Sequence, residues 1–403
     1  MGMETIGRPE MRQEGTDYVF SWEPTDIRVI VRDLYSGRDG PRGEISVVGL
    51  HTGHLHSAML NLLSSTSKAG LTKALLARDN SLPWPQMVED FCQMAVLRFR
   101  EGDPLILLEP KPRDPDRRFA ITPLCPLNVA TLLFGDGKSG KSYLANALAR
   151  ALMLGDEVAG LRCQQSMAVA YLDWEWDQEE HEDRLHRLGA DVMYFYRACT
   201  VPLVQQGRTL ARMFDQQHIE FVICDSLGYA LGGDPSDPEL VMRFFSAVRE
   251  IGRTWLIIHH VPKDSKHPYG SVYIRNSARS AWHMQRSSLP EPDGFAAALR
   301  HEATNVSALL PAIGLKFRFS ETETIIERTD ARTIPEVEEA MSKKARILAL
   351  LEATPGLTSA QIAQMMDERA DRVSVHLYQL KKQGRVADRD HHWALAAADQ
   401  QET

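Results

Sequence analysis

An apolar run from Val129 to Phe134 leads directly into Gly135-Asp136-Gly137-Lys138-Ser139-Gly140-Lys141-Ser142, and a helix-forming stretch from Tyr143 to Leu152 follows at once. This is the pattern GxxxxGK[ST] in the strand–loop–helix setting that gives it meaning. The glycines let backbone N–H groups turn inward around phosphate oxygens, and the helix N-terminus adds a dipole that favours anions. In such a loop Lys141 reaches the β- and γ-phosphates and the Ser142 hydroxyl ligates Mg²⁺. The expected ligands are therefore ATP and Mg²⁺. The expected nucleotide-binding residues are Gly135, Asp136, Gly137, Lys138, Ser139, Gly140, Lys141, Ser142 and Tyr143.

Three further apolar strands end in chemistry. Phe221 to Cys224 runs into Asp225-Ser226, and a carboxylate there would hold Mg²⁺ together with Ser142. Met167 to Leu172 ends in Asp173-Trp174-Glu175. Carboxylates at the C-terminal edge of a parallel sheet face its ligand crevice. Glu175 is thus the candidate general base that polarises the attacking water, with Asp173 the weaker candidate. Trp255 to Ile258 ends in His259-His260, of which His260 is the preferred sensor of the γ-phosphate. Lys263 follows, and beyond it Arg275 and Arg279 are candidates for a cation supplied to a neighbouring subunit's active site.

Short strands alternating with amphipathic helices from about Ala120 to Gly252 predict parallel β-α-β units, and strands at 295–300, 313–319 and 323–328 predict an antiparallel extension of the same sheet. Residues 1–101 read as a small α/β module: an aperiodic tail over 1–20, strands at 27–34 and 44–49, and helices from His54 to Arg78 and Trp84 to Arg100. A linker rich in proline and charge spans 102–119, the ATPase core 120–330, and a connector with a last compact segment 331–403. In that segment Ser342–Leu351, a second helix capped by Thr358, Asp371–Gln383 and a short β-wing over Arg385–Leu395 resemble a winged helix-turn-helix. Its third helix would read DNA, with Arg369, Arg372, Lys381, Lys382 and Arg385 available to phosphates.

The bulk numbers restrict rather than identify. A net charge of −8 rules out a uniformly basic polyanion binder, although a ring can keep an acidic outside and a basic channel. Five cysteines without CxxC spacing indicate neither a disulfide framework nor a zinc site. The sequence shows no membrane span and no signal peptide, so a cytoplasmic location is expected.

These elements, in this order, resemble the RecA-like replicative helicases, most closely the RepA-type plasmid and phage helicases of the AAA_25 kind. The residues that carry the resemblance are GDGKSGKS, YLDWE, FVICDSLGYALGGDPSD, WLIIHHVPK and YGSVYIRNSARSAW, within about residues 120 to 330. Ala303 departs from the pattern, standing near where that family tends to carry a lysine. The resemblance implies a RecA-like P-loop NTPase core, with Lys141, Glu175, Asp225 and His260 in catalysis and an arginine finger within 275–279. It also implies a mobile loop from Gly228 to Asp237 facing a central channel, and a homo-hexamer that translocates on single-stranded DNA with initiation or loader proteins as partners. The competing expectation is a non-processive, ATP-switched DNA-binding, loader or regulatory ATPase. A small-molecule kinase would use the same phosphate loop, but Glu175, the paired histidines and the appended C-terminal segment argue against it.

Overall fold

The structure, a computed structural model, describes residues 6–23, 25–102, 105–112, 118–189, 193–261, 269–305, 308–336 and 343–396. Lys263 lies outside them. The chain divides into two compact units, one formed by residues up to 118 with 201–220 and 243–253, the other by 119–200, 221–242 and the chain from 254 onward.

The first unit begins with an antiparallel sheet of five strands in sequence order: β1 (Glu10–Glu14), β2 (Asp17–Ser21), β3 (Ile27–Gly37), β4 (Gly40–Gly49) and β5 (Gly53–Asn61). Helices α1 (Ser65–Leu76) and α2 (Trp84–Glu101) follow, and their residues Leu71, Leu75, Trp84, Met87 and Phe91 form one core with Phe20, Trp22, Val29, Val31, Ile45 and Val47. Two expectations are corrected here. The supposed N-terminal tail contains β1 and β2, whose short alternation acquires its partner only in β3. The stretch from His54 is a strand paired with β4, and the first helix starts at Ser65 behind a Ser64 cap. Leu55, Met59 and Leu62 stand at helical spacing, which disguised a hairpin strand. Elsewhere in the unit, Arg212 pairs with Asp17 and Asp33, and Arg253 with Asp215.

The second unit opens with β6 (Phe119–Thr122) and β7 (Cys125–Pro126), followed by β8 (Ala130–Gly135), α3 (Lys141–Leu154), β9 (Glu157–Val158), β10 (Leu161–Cys163), β11 (Val169–Asp173), α4 (Gln178–Arg187) and β12 (Phe195–Ala198). The chain continues through α5 (Leu203–Gln216), β13 (Phe221–Asp225), α6 (Leu227–Leu231), α7 (Pro238–Ile251), β14 (Thr254–His260) and α8 (Val272–Ser277). It then runs into β15 (Ser280–Arg286), β16 (Gly294–Thr304), β17 (Ile313–Phe319) and β18 (Thr324–Thr329). Nine strands form the main sheet in the order β12-β11-β13-β14-β8-β15-β16-β17-β18. Pairing is parallel from β12 to β15 and antiparallel from there to β18. The fold is therefore the expected mixed α/β arrangement, mostly parallel with an antiparallel extension. Strands β8, β11 and β13 are buried along their whole length, as both faces of a covered parallel sheet require. The strand β15, unforeseen in the sequence, joins the two parts, parallel to β8 and antiparallel to β16.

The segment from Gly228, expected as a mobile loop, begins as the short helix α6 with Gly232 at its end. The C-terminal elements are α9 (Lys343–Ala353), β19 (Leu357–Thr358), α10 (Ser359–Met365), α11 (Ala370–Lys382), β20 (Val386–Arg389) and β21 (His392–Leu395). They enclose their own small core of Ile347, Leu351, Ile362, Leu377 and Leu380. Thr358 and Gln361 close a reciprocal capping box at the start of α10. All five cysteines are buried and none is in a disulfide. Among the described residues, no helix is long and apolar enough to cross a membrane.

Candidate active site

The strand register assembles the site. Asp173 lies beside Asp225 across β11 and β13, and Gly135 beside His260 across β8 and β14. Four C-terminal strand edges thus bring the phosphate loop, two carboxylates and a histidine together, as the crevice of a parallel sheet does. The loop needs two of its glycines for close approach. A Cβ on Gly135 would lie 2.1 Å from the Met284 carbonyl oxygen. Gly140 has φ +97°, and a Cβ there would lie 2.7 Å from Phe295.

Lys141 is buried, and its Nζ donates to the carbonyls of Gly135 (3.0 Å) and Asp136 (2.7 Å). Burial pushes its pKa down to about 8, against the opposing pull of Asp225, Asp136 and Glu175. Asp225 is buried as well. Desolvation, reinforced by the charge of Asp173, pushes its carboxyl up to about 6, while hydrogen bonds from Ser142 and Tyr171 favour the carboxylate. The Tyr171 hydroxyl donates to Asp225 Oδ2 at 2.8 Å. A serine hydroxyl against one carboxylate is a donor pair that fits Mg²⁺, which keeps several waters and takes its other ligands from phosphates.

Glu175 stands across the pocket from the loop. Its Oε1 accepts from Ser226 Oγ (2.6 Å) and faces His260 Nε2 (3.4 Å). The His260 hydrogen bond, aided by that of Ser226, holds the Glu175 carboxyl below the ordinary range despite partial burial. His259 has a different environment. It is buried, its Nε2–H donates to the Tyr269 carbonyl at 2.8 Å, and burial pushes it down to about 4, so it is neutral at pH 7. Of the paired histidines, only His260 faces the pocket.

A cavity of about 600 Å³ opens between these groups. Its walls include residues 137–143, Glu175 and His260, all expected from the sequence. Trp176, Glu180 and Arg184 also line it, as do Arg286, Phe295 and Phe319. The spacing of four between Trp176, Glu180 and Arg184 was readable as one face around α4. The other three sit on β15, β16 and β17, far along the chain, with no local signal. Arg184 stacks between Tyr143 (4.8 Å) and Trp176 (5.1 Å), while Arg286 covers Phe295 at 4.2 Å and donates to the Lys138 carbonyl. Arg275 and Arg279 lie outside the cavity: Arg275 donates to the Glu302 carbonyl at 2.7 Å, and Arg279 is exposed.

The AAA_25 family, an AAA domain, matches residues 104–266, the stretch that carries the loop, Glu175, Asp225 and His260. The match and the loop geometry together make the domain a nucleotide-binding P-loop ATPase. A KaiC-like protein from the hyperthermophilic archaeon Pyrococcus horikoshii OT3, known from its crystal structure, is similar over 51% of this chain and 93% of its own, at 11% identity and a TM-score of 0.40. No curated protein matches the chain.

Proposed function

We propose that this protein is an ATP-hydrolysing motor that acts on DNA, a homo-hexameric helicase or translocase of the RepA type built on a RecA-like core. The observation that carries the hydrolytic part is the placement of Glu175. It is ionised, partly exposed to the cavity, and set opposite Lys141 and Ser142. Lys141 would exchange its two loop carbonyls for phosphate oxygens. Bound Mg²⁺, held by Ser142 and Asp225, would neutralise charge on the β- and γ-phosphates. Glu175 would take the proton of the attacking water as general base, and His260, bonded to the same carboxylate, would sense the γ-phosphate. Arg275 or Arg279 would reach the site of the adjacent subunit.

The DNA-acting part rests on the resemblance of the core and on the C-terminal group, read as a winged helix-turn-helix in a cytoplasmic protein. In this reading residues 1–101 form a separate module, 102–119 a linker, 120–330 the motor core and 331–403 the connector and wing. A specific observation favours a second reading, a nucleotide-switched loader or regulatory ATPase. Arg369 and Lys381 are paired with Asp371 and Asp388, and α11 exposes Val375 and Tyr378, a surface suited to protein docking.

The deciding experiment is ATP turnover of wild type and Glu175→Gln, with and without single-stranded DNA. The motor reading expects several-fold stimulation by DNA in wild type, and loss of turnover with retained ATP binding in the variant. Turnover that is indifferent to DNA gives precedence to the switch reading, and full turnover by Glu175→Gln removes the assigned base.

A further inference from the structure

Asp173 is buried, and both its oxygens are already engaged by protein groups rather than turned toward the cavity, which makes it the best-connected carboxylate near the site. Its Oδ1 accepts the backbone N–H of Glu175 at 2.7 Å and of Trp176 at 3.0 Å, which fixes the turn that carries the candidate base. Its Oδ2 meets His181 Nε2 at 2.7 Å. From there a chain of hydrogen bonds continues inward. His181 Nδ1 lies 2.6 Å from the Tyr194 hydroxyl, Tyr194 donates to Asn146 Oδ1 at 2.5 Å, and Asn146 Nδ2 donates to the Ser142 carbonyl at 2.8 Å. Asp173, His181, Asn146 and Tyr194 are all buried. Tyr171 and Tyr196 pack their rings on His181 at 4.5 and 4.8 Å.

Counting donors gives the chain a direction. The Ser142 carbonyl can only accept, so the Asn146 amide must present its N–H₂ there and its oxygen to Tyr194. Tyr194 spends its single proton on that oxygen, so the bond from His181 must be an Nδ1–H donated to Tyr194. One proton then lies between His181 Nε2 and Asp173 Oδ2. Every member is satisfied, and a buried polar network in that condition is rigid and specifies one geometry.

We propose that Asp173, His181, Tyr194 and Asn146 are positioning residues for hydrolysis, forming a buried relay that ties Glu175 to the first helical turn after the phosphate loop. The proposal rests on the reading of the site as one that hydrolyses ATP. Asp173 acts through two backbone amides and Asn146 through a backbone carbonyl, so neither touches substrate. A shift of Ser142 as the loop closes on phosphates passes through side chains that have no slack, and moves the turn at residues 173–176 with it. Placement of the base thereby follows occupancy of the loop.

The test is a double-mutant cycle on the full chain with Asp173→Ala, Tyr194→Phe and their combination, alongside Asp173→Asn and Glu175→Gln. ATP turnover is measured with fluorescent-nucleotide binding and circular dichroism. Each single variant is expected to lower kcat about tenfold or more, because misplacing a reacting group by an ångström is that costly. KM and nucleotide affinity should stay at wild-type values. The double variant should be no slower than the slower single, since one break already opens the relay. Asp173→Asn should recover part of the loss, because its amide oxygen still accepts from residues 175 and 176. Wild-type kcat in Tyr194→Phe and Asp173→Asn, losses that multiply in the double variant, or affinity falling in step with kcat would each overturn the relay. Full turnover by Glu175→Gln would instead remove the reading on which the relay rests.

Discussion

Asp225→Asn should stabilise the nucleotide-free protein while abolishing its turnover. Asp225 is buried and its pKa lies at about 6, against an ordinary 3.8. The folded state therefore keeps this proton to higher pH than the unfolded chain does. Stability contributed by the protonated form is lost as pH rises from about 4 through 6. By pH 7.5 the ionised carboxylate costs about 3 kcal/mol, at 1.36 kcal/mol for each tenfold change. Asparagine does not ionise, is nearly isosteric, and can still accept from the Tyr171 hydroxyl. The figure is an upper bound, because Asp225 also helps keep the buried Lys141 charged. Thermal unfolding of both proteins without nucleotide, between pH 4.5 and 8, measures the difference directly. It should be small at the acid end and grow to a shift on the order of 5–10 °C at pH 7.5 for a unit of this size. Mg²⁺ with ADP should then stabilise wild type more than the variant, because ligation engages the carboxylate. An Asn variant equally or less stable than wild type at pH 7.5 would refute the claim that this carboxylate is held at a cost.

Gly140→Ala places a Cβ 2.7 Å from Phe295 at a φ of +97°, so it should lose about 2–4 kcal/mol of stability and most nucleotide affinity, measured by denaturant unfolding and equilibrium binding. His260→Ala removes the largest influence that holds Glu175 below the ordinary carboxylate range, so the acid limb of the turnover–pH profile should move to higher pH, and an unmoved limb would contradict the contact. If an exposed arginine acts across a subunit boundary, mixing inactive Glu175→Gln with inactive Arg279→Ala should restore part of the turnover, since some interfaces then pair an intact base with an intact arginine. Failure of that mixture, and of the same mixture with Arg275→Ala, would remove the trans assignment.

Four strands of the parallel part, β8, β11, β13 and β14, were legible in the sequence because each announces itself twice, once as an apolar run and again by the polar residues that follow it, whereas β12 and β15 carry no such run. Lys141, Glu175, Asp225 and His260 were found that way, since a parallel sheet gathers strand ends at one edge. Features that depend on partners distant in the chain were not legible. The strand β15 has no strong alternation and owes its place to β8 and β16, which clasp it from both sides. The strand β5 looked helical because three apolar residues fell at helical spacing. Phe295 and Phe319 reach the cavity from antiparallel strands more than a hundred residues beyond the loop. The sequence offers Asp173 only as the weaker carboxylate, because three-dimensional packing alone shows that both its oxygens are engaged, one by the backbone that carries Glu175 and one by His181.

The site separates its charges by what each lacks within the protein. Burial drives Lys141 down to about 8 and Asp225 up to about 6, so each lies within about an order of magnitude of losing its charge near neutral pH. Phosphate oxygens beside Lys141 would restore its affinity for a proton, and a divalent cation beside Asp225 would favour the carboxylate. Both groups would thus gain from Mg²⁺-nucleotide what the fold withholds, and that differential would appear as binding free energy. Glu175 is the exception. His260 and Ser226 already favour its charged form, as the proposed general base would require. What remains to be supplied to Glu175 is position, and its backbone is fixed by Asp173 rather than by any group that meets the nucleotide.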